Sequence, residues 1–319
     1  MRNYILRRLL ILIPIMLGVS FITFSMFRLI PGDAAVLRCQ LGCTPEVLDS
    51  LRHEMGLDRP WYQQYGDWVW NIVSEGDLGR SITESRLPVT TELGRRLPIT
   101  VELLVMTLFM ALLLGIPPGV ISAIRPGTPL DWLARVGSVL WLSIPSFWLG
   151  ILVIAFGVRW FGWAPPQFGR GYVPFLDDPW VNLQQFFFPA LVLALAIAAA
   201  IMRLTRSSLL EVLRNDYIRT AWSKGLRERT VVMRHALKNA LIPVLTIVGL
   251  QVGALIGGAV IIESVYNLNG VGKYVLEAIL RRDFFVVQSV VLLFAATYVM
   301  ANLVVDVLYG WLDPRIRYG

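Results

Sequence analysis

Six stretches of this 319-residue chain are each apolar for about the length that crosses a bilayer, and no other feature constrains it as much. They fall at 9–27, 98–124, 132–156, 186–202, 241–262 and 284–312. A membrane-spanning helix needs about 20 predominantly apolar residues. In hydrocarbon every backbone N–H and C=O must be bonded within the protein, so runs of this kind are read as helices. The polar/apolar alternation of a membrane barrel is absent. The chain is 56% hydrophobic and 16% charged, against about 25% charged for an ordinary soluble domain. That excludes a disordered chain and argues against a soluble one. The expected fold is all-α and polytopic, with six transmembrane helices.

The first apolar run follows Arg2, Arg7 and Arg8, as a signal peptide would. It is too long for a typical signal core, however, and no small-residue cleavage site follows it. It is read as a retained helix.

Lysine and arginine counts set the orientation. With the N-terminus inside, segments 1–8, 125–135, 203–238 and 313–319 carry 16 Lys and Arg. The outer loops 31–97, 158–185 and 263–283 carry 12, of which 7 lie in the long first loop. Long loops cross largely regardless of charge. Both termini are therefore expected in the cytoplasm. The layout is a first transmembrane helix over 1–30, an extracytoplasmic loop domain over 31–97, a five-helix core over 98–312 and a cytoplasmic tail over 313–319.

In the first outer loop, Thr44-Pro45-Glu46 reads as a helix N-cap followed by proline in the first turn. Trp61, Tyr65 and Trp68 follow at helical spacing. That stripe fits a partner-docking face, but packing on the protein's own helices or on headgroups is the plainer reading. Cys39 and Cys43 lie in the same loop, where oxidation is permitted, and a short structural disulfide is one expectation for them. No cluster with metal-ligand spacing accompanies them, and His53 and His235 lie far apart.

Soluble catalytic motifs are missing. The stretch Asn267-Leu-Asn-Gly-Val-Gly-Lys-Tyr274 approaches a phosphate loop but lacks the first Gly and the final Ser or Thr. No metal site, bound cofactor or catalytic residue is expected. Charged residues near the spans are few: Arg28, Glu102 and Asp306. Ionisable groups at membrane depth are costly and so mark candidate pathways. Asn302 and Asp306, four apart, share a helix face. Together with Gln251 they are candidates for lining a translocation path, although bonding between helices explains each of them as simply. Gly249, Gly253 and Gly257 recur at four-residue spacing and would let another helix approach closely.

The longest inner segment, 203–238, holds nine basic residues against three acidic ones. Leu210, Leu213, Tyr217 and Ala221 fall on one helix face, and Gly225 then stops that helix. A second short basic helix leads to the next span. Composition alone would also fit an amphipathic element lying on anionic lipid.

The residues around Gly225 resemble the cytoplasmic motif of the inner-membrane subunits of bacterial ABC importers: E-A-A, three residues, G, nine residues, I-x-L-P. Aligned on Gly225, the motif places Arg219, Thr220 and Ala221 at E-A-A, and His235, Leu237 and Lys238 at the Ile, Leu and Pro. Only Ala221, Gly225 and Leu237 match strictly. The dipeptide/oligopeptide/nickel permease group is more similar. It shares Tyr217-Ile-Arg-Thr-Ala-Trp-Ser-Lys-Gly-Leu226 and Arg234-His-Ala-Leu-Lys-Asn-Ala-Leu-Ile-Pro243, with Trp222 where Arg is common. Further matching stretches run nearly end to end: Pro31-Gly-Asp33, Met55-Gly-Leu-Asp58, Gly76-Asp-Leu-Gly-Arg-Ser81, Ser143-Ile-Pro-Ser-Phe-Trp148, Gly257-Gly-Ala-Val-Ile-Ile-Glu263 and Leu312-Asp-Pro-Arg-Ile-Arg317. The Cys39/Cys43 pair is not part of the usual pattern.

The resemblance implies a type I ABC importer permease fold in the bacterial cytoplasmic (inner) membrane, and import of peptides or related solutes. Implied partners are a homologous second permease, two cytoplasmic ATPase subunits holding ATP and Mg, and an extracytoplasmic substrate-binding protein. Membrane lipid surrounds the assembly, and no nucleic acid is involved. The same resemblance assigns ATPase coupling to Arg219, Thr220, Ala221, Lys224, Gly225, Leu226, Arg227, His235, Leu237 and Lys238. A carrier acting alone would show internal repeats and broken helices at matching positions. A membrane enzyme would show an acid/base or nucleophile cluster. Neither signature is found.

Overall fold

The computed structural model describes residues 2–29, 35–36, 44–54, 56–82 and 87–312. Cys39 and Cys43, the matching stretch at 31–33 and the tail 313–319 lie outside the described residues. Among the described residues the regular elements are helical, and extended backbone pairs only at an isolated bridge between Arg80 and Pro88.

Helix α1 spans Arg2–Leu29, α2 Pro45–Glu54 and α3 Trp61–Glu75. The long α4 (Val89–Ile124) is followed by α5 (Pro129–Ser143), α6 (Ser146–Phe161), the single turn α7 (Gln167–Arg170) and α8 (Pro179–Val212). Next come α9 (Asp216–Ser223), α10 (Glu228–Thr230), a π-helical turn at Val231–Ala236 and α11 (Leu237–Val265). Helices α12 (Val271–Leu280) and α13 (Phe284–Leu312) complete the described chain.

Among the described residues, five helices are long and apolar enough to cross a membrane: Leu6–Met26 in α1, α4, α8, Glu228–Val265, and Phe284–Val307 in α13. The expected third span is not one straight helix. Helices α5 and α6 meet at 98°, and counted together they make a sixth span. The break has a local cause. Ile144 precedes Pro145, and the proline ring pushes its neighbour out of the helical region, here to φ −90° and ψ 122°.

Local chemistry fixes several helix ends. Thr128 caps α5 by accepting the Asp131 N–H, with Pro129 in the first turn. Asp178 caps α8 by accepting from the Trp180 and Val181 N–H groups, followed by Pro179. The fourth apolar run, 186–202, becomes a 34-residue helix. Polar residues at either end do not stop a helix whose hydrogen-bond ladder continues through them.

The chain divides into two compact units. One holds 99–269 and 300–312, with residues 2–4; the other holds 5–98 and 270–299. The first has its core along α8. Ile197, Ala198 and Ile201 pack with Leu103, Met110 and Ala111 of α4 and with Val244, Leu255, Ala259 and Ile262 of α11. Close approach is built into α4. A Cβ on Gly115 would lie 2.9 Å from the Ala198 carbonyl oxygen, and one on Gly119 would lie 2.8 Å from that of Met202.

In the second unit, Phe24 of α1, Trp68 of α3 and Leu292 of α13 form a small core, with Tyr65 and Ile72 packed on it. Tyr65 meets the Phe21 ring edge-on and shares a hydrogen bond with Ser20. The aromatic stripe of α3 therefore packs largely on α1. In the same unit Asp283 receives the Ser81 hydroxyl at 2.6 Å and the Ile82 N–H at 2.9 Å, which ties the 77–82 segment to the start of α13.

Candidate coupling and translocation elements

The 203–238 segment folds as a helix–turn–helix, with one more break than its spacing predicts. A single helix face is expected through Leu210, Leu213, Tyr217 and Ala221, but α8 ends at Val212 and α9 starts at Asp216. Asn215 between them is extended, at φ −70° and ψ 148°. Short polar side chains compete with the helix for backbone bonds, which explains a stop at Asn215-Asp216. Gly225 has φ +72°, and a Cβ there would meet no heavy atom within 4 Å. Within this chain the glycine is required by its backbone conformation and not by crowding.

Beneath this element lies its own core. Ile218 and Ala221 of α9 are buried with Val231, Val232 and Ala236, against Leu209 of α8 and Val120 and Ala123 of α4. Ala221 thus faces inward. Arg219, Thr220, Lys224, Gly225, Leu226, Arg227 and Lys238 are exposed, and His235 and Leu237 are half-buried. Tyr217, Trp222 and Met233 are also exposed, so the outward face mixes large apolar groups with basic ones. The Tyr217 hydroxyl accepts from the Asn239 amide at 2.8 Å, which ties α9 to α11.

At the root of this element sits a buried polar node. Arg206 Nε lies 2.8 Å from Asp131 Oδ1, and Nη2 lies 3.2 Å from Oδ2. Ser122 donates to the same carboxylate, and the Gly127 N–H reaches it at 3.0 Å. One carboxylate thereby joins the end of α4, the start of α5 and the last turns of α8.

The expected pathway residues are less tightly defined. Gln251, Asn302 and Asp306 are all half-buried. Helices α11 and α13 meet at Gly249, where a Cβ would lie 3.0 Å from a Val305 methyl. Asn302 and Asp306 are within a turn of that contact. Gln251, two residues beyond Gly249, turns to another face. A Cβ on Gly257 would meet open space, so the four-residue glycine pattern is not one continuous seam.

The opposite end of α8 builds a second polar site. Asn182 and Gln185 are buried and hold the segment Gly171-Tyr172-Val173. Asn182 donates to the Val173 carbonyl at 2.9 Å. Gln185 accepts the Val173 N–H at 3.1 Å and donates to the Gly171 carbonyl. The Tyr172 ring packs edge-on against Phe186, and its hydroxyl donates to Glu102 Oε2 at 3.0 Å. Burial, reinforced by that bond to Glu102, pushes the Tyr172 hydroxyl up to about 12, so it stays protonated and can donate. Nearby, Thr100 donates to the buried Glu263 at 2.6 Å.

Sequence spacing does not point to Asp131, Arg206, Tyr172, Asn182 or Gln185, because most of their partners lie 9 to 84 residues away. One signal was present for some of them: polar side chains at the margins of long apolar runs, where each needs a partner.

The chain matches two family models. Residues 115–318 match the binding-protein-dependent transport system inner membrane component, and residues 1–104 match the N-terminal membrane component of the same systems. It is 43% identical over 319 residues to a putative peptide transport system permease protein of Brucella abortus (strain 2308), covering all of both chains. The dipeptide transport system permease protein DppB of Escherichia coli (strain K12) is 40% identical, covering all of this chain and 99% of that one. DppB of Alkalihalophilus pseudofirmus is 38% identical over the full length of both. Among solved structures, an inward-facing form of the MetNI methionine ABC transporter superposes with a TM-score of 0.56 at 18% identity. It covers 70% of this chain and 97% of that one.

Proposed function

Because the chain belongs to the family of inner membrane components of binding-protein-dependent transport systems, we propose that it is one of two permease subunits of an ABC importer for peptides. The substrate class rests on the peptide and dipeptide permeases that it resembles over their whole length. The partners are a homologous second permease, two ATPase subunits that hold ATP and Mg, and an extracytoplasmic protein that delivers the substrate. Lysine and arginine bias puts both termini and the 203–238 element in the cytoplasm.

The observation that carries the coupling role is the two-sided build of 216–238. Its inner face has a core of its own, while Trp222, Leu226 and Met233 stand exposed among basic residues. Large apolar side chains left exposed among basic ones suit a docking face. ATPase closure would move this element as a body, and the Asp131–Arg206 node would pass the displacement to α4, α5 and α8.

Reconstituted vesicles test the reading. Peptide uptake is expected only when ATP, the ATPase chains, the second permease and the binding protein are all present. Uptake by this chain alone would overturn it.

A further inference from the structure

Glu102 stands on α4 about one turn inside the apolar run, at the end where the 162–178 segment folds back. Its Oε2 receives the Tyr172 hydroxyl, and among the described residues it takes part in no other hydrogen bond and no ion pair. Glu102 is half-buried, and no hydrogen bond to its second carboxylate oxygen is present among the described residues. Tyr172 is not free to wander, because Asn182 and Gln185 fix the backbone on both sides of it through three hydrogen bonds. The molecule therefore invests two buried amides in aiming one hydroxyl at one carboxylate. A structural ion pair would show a basic partner, and none is present among the described residues.

We propose that the Glu102 carboxylate, oriented by Tyr172, is a docking subsite for the ammonium group of a peptide entering the pathway. This rests on the peptide-importer reading above. In that orientation the site lies at the receiving end of the membrane. An ammonium ion leaving water pays a desolvation cost that a fixed carboxylate offsets. Val101, Val105 and Phe109 are exposed beside it on α4, and such apolar surroundings strengthen the attraction.

The test uses the complete transporter with alanyl peptides of two to five residues. Glu102→Gln keeps the shape and a hydrogen-bond acceptor for Tyr172 but removes the charge. It is expected to lower ATP-driven uptake by about tenfold or more, while Glu102→Asp retains most of it. In a Val105→Cys variant, which keeps Glu102 and puts the thiol on an exposed neighbouring position of α4, externally added peptide is expected to slow thiol labelling by a cationic methanethiosulfonate. Wild-type uptake by Glu102→Gln, or labelling indifferent to peptide, would overturn the subsite and leave the importer reading standing. A wild-type complex that shows no ATP-driven peptide uptake would overturn that reading and the subsite with it.

Discussion

Arg206 and Asp131, 75 residues apart, meet in a two-point ion pair, with Nε 2.8 Å from Oδ1 and Nη2 3.2 Å from Oδ2. Ser122 and the Gly127 N–H also bond this carboxylate, and Arg135 Nε lies 3.6 Å from its Oδ1. Removing one member of such a pair strands the other in a poorly solvated place. Arg206→Met is expected to lower the thermal unfolding midpoint in detergent by several degrees. The double variant with Asp131→Leu should recover part of the loss, and a double-mutant cycle measures the coupling.

Glycines 115 and 119 should not tolerate even a methyl group. Alanine is normally favoured over glycine within a helix by about 1 kcal/mol. Here the added carbon would sit within 2.8–2.9 Å of carbonyl oxygens on α8, and overpacking of this kind costs about 1–3 kcal/mol. Gly137 of α5 has no heavy atom within 4 Å of its would-be Cβ. Gly119→Ala should therefore destabilise and Gly137→Ala should not, as read by thermal unfolding of the two side by side.

Gly225 lets the proposed coupling role be tested apart from stability. Its φ of +72° costs an ordinary residue about 1–2 kcal/mol, with asparagine tolerated better. No neighbour within this chain would be struck. Gly225→Leu is expected to insert and fold with a small loss of stability, yet to abolish ATP-driven uptake by obstructing the partner. Equal retention of both properties would count against coupling at this turn.

Thr100 and Glu263 offer a test inside the first unit's core. Thr100→Val removes the hydroxyl that lies 2.6 Å from a fully buried carboxylate. Leaving a buried acceptor short of a partner costs about 1–3 kcal/mol. The valine variant should unfold earlier, whereas Thr100→Ser should stay near wild type.

Asp283 anchors the 77–82 segment through Ser81 and Ile82. Asp283→Ala is expected to raise amide exchange at Ile82 well above wild type while the centre of α13 stays protected. Hydrogen–deuterium exchange with peptide-level resolution reads this directly.

The spans were legible in the sequence because hydrocarbon leaves one solution for a long apolar run, and length alone reveals it. The turn at Gly225 was legible because glycine is the residue that enters the left-handed region without strain. The break at 213–215 was hidden, since Leu213 continues the apolar spacing and nothing before Asn215 signals a stop. The bend at Ile144-Pro145 carried its signal in the proline, but an apolar run hides a corner. The Asp131–Arg206 pair and the Tyr172–Glu102 contact depend on which helices become neighbours, and period and composition do not encode that. The glycine pattern misled for a related reason. Gly249, Gly253 and Gly257 have the regular spacing, whereas the tightest approaches fall on Gly115 and Gly119, because facing bulk decides where a missing side chain matters.

The small core under α9 gives the two sides of that element separate duties. Ile218, Ala221, Val231, Val232 and Ala236 hold its shape, so the outward residues are free to vary without unfolding it. On the proposed coupling role, recognition of a different motor protein would be grafted by exchanging Trp222, Leu226, Met233 and the cations around them. Such a transplant would leave the spans as they are, and swapping the inner set would not.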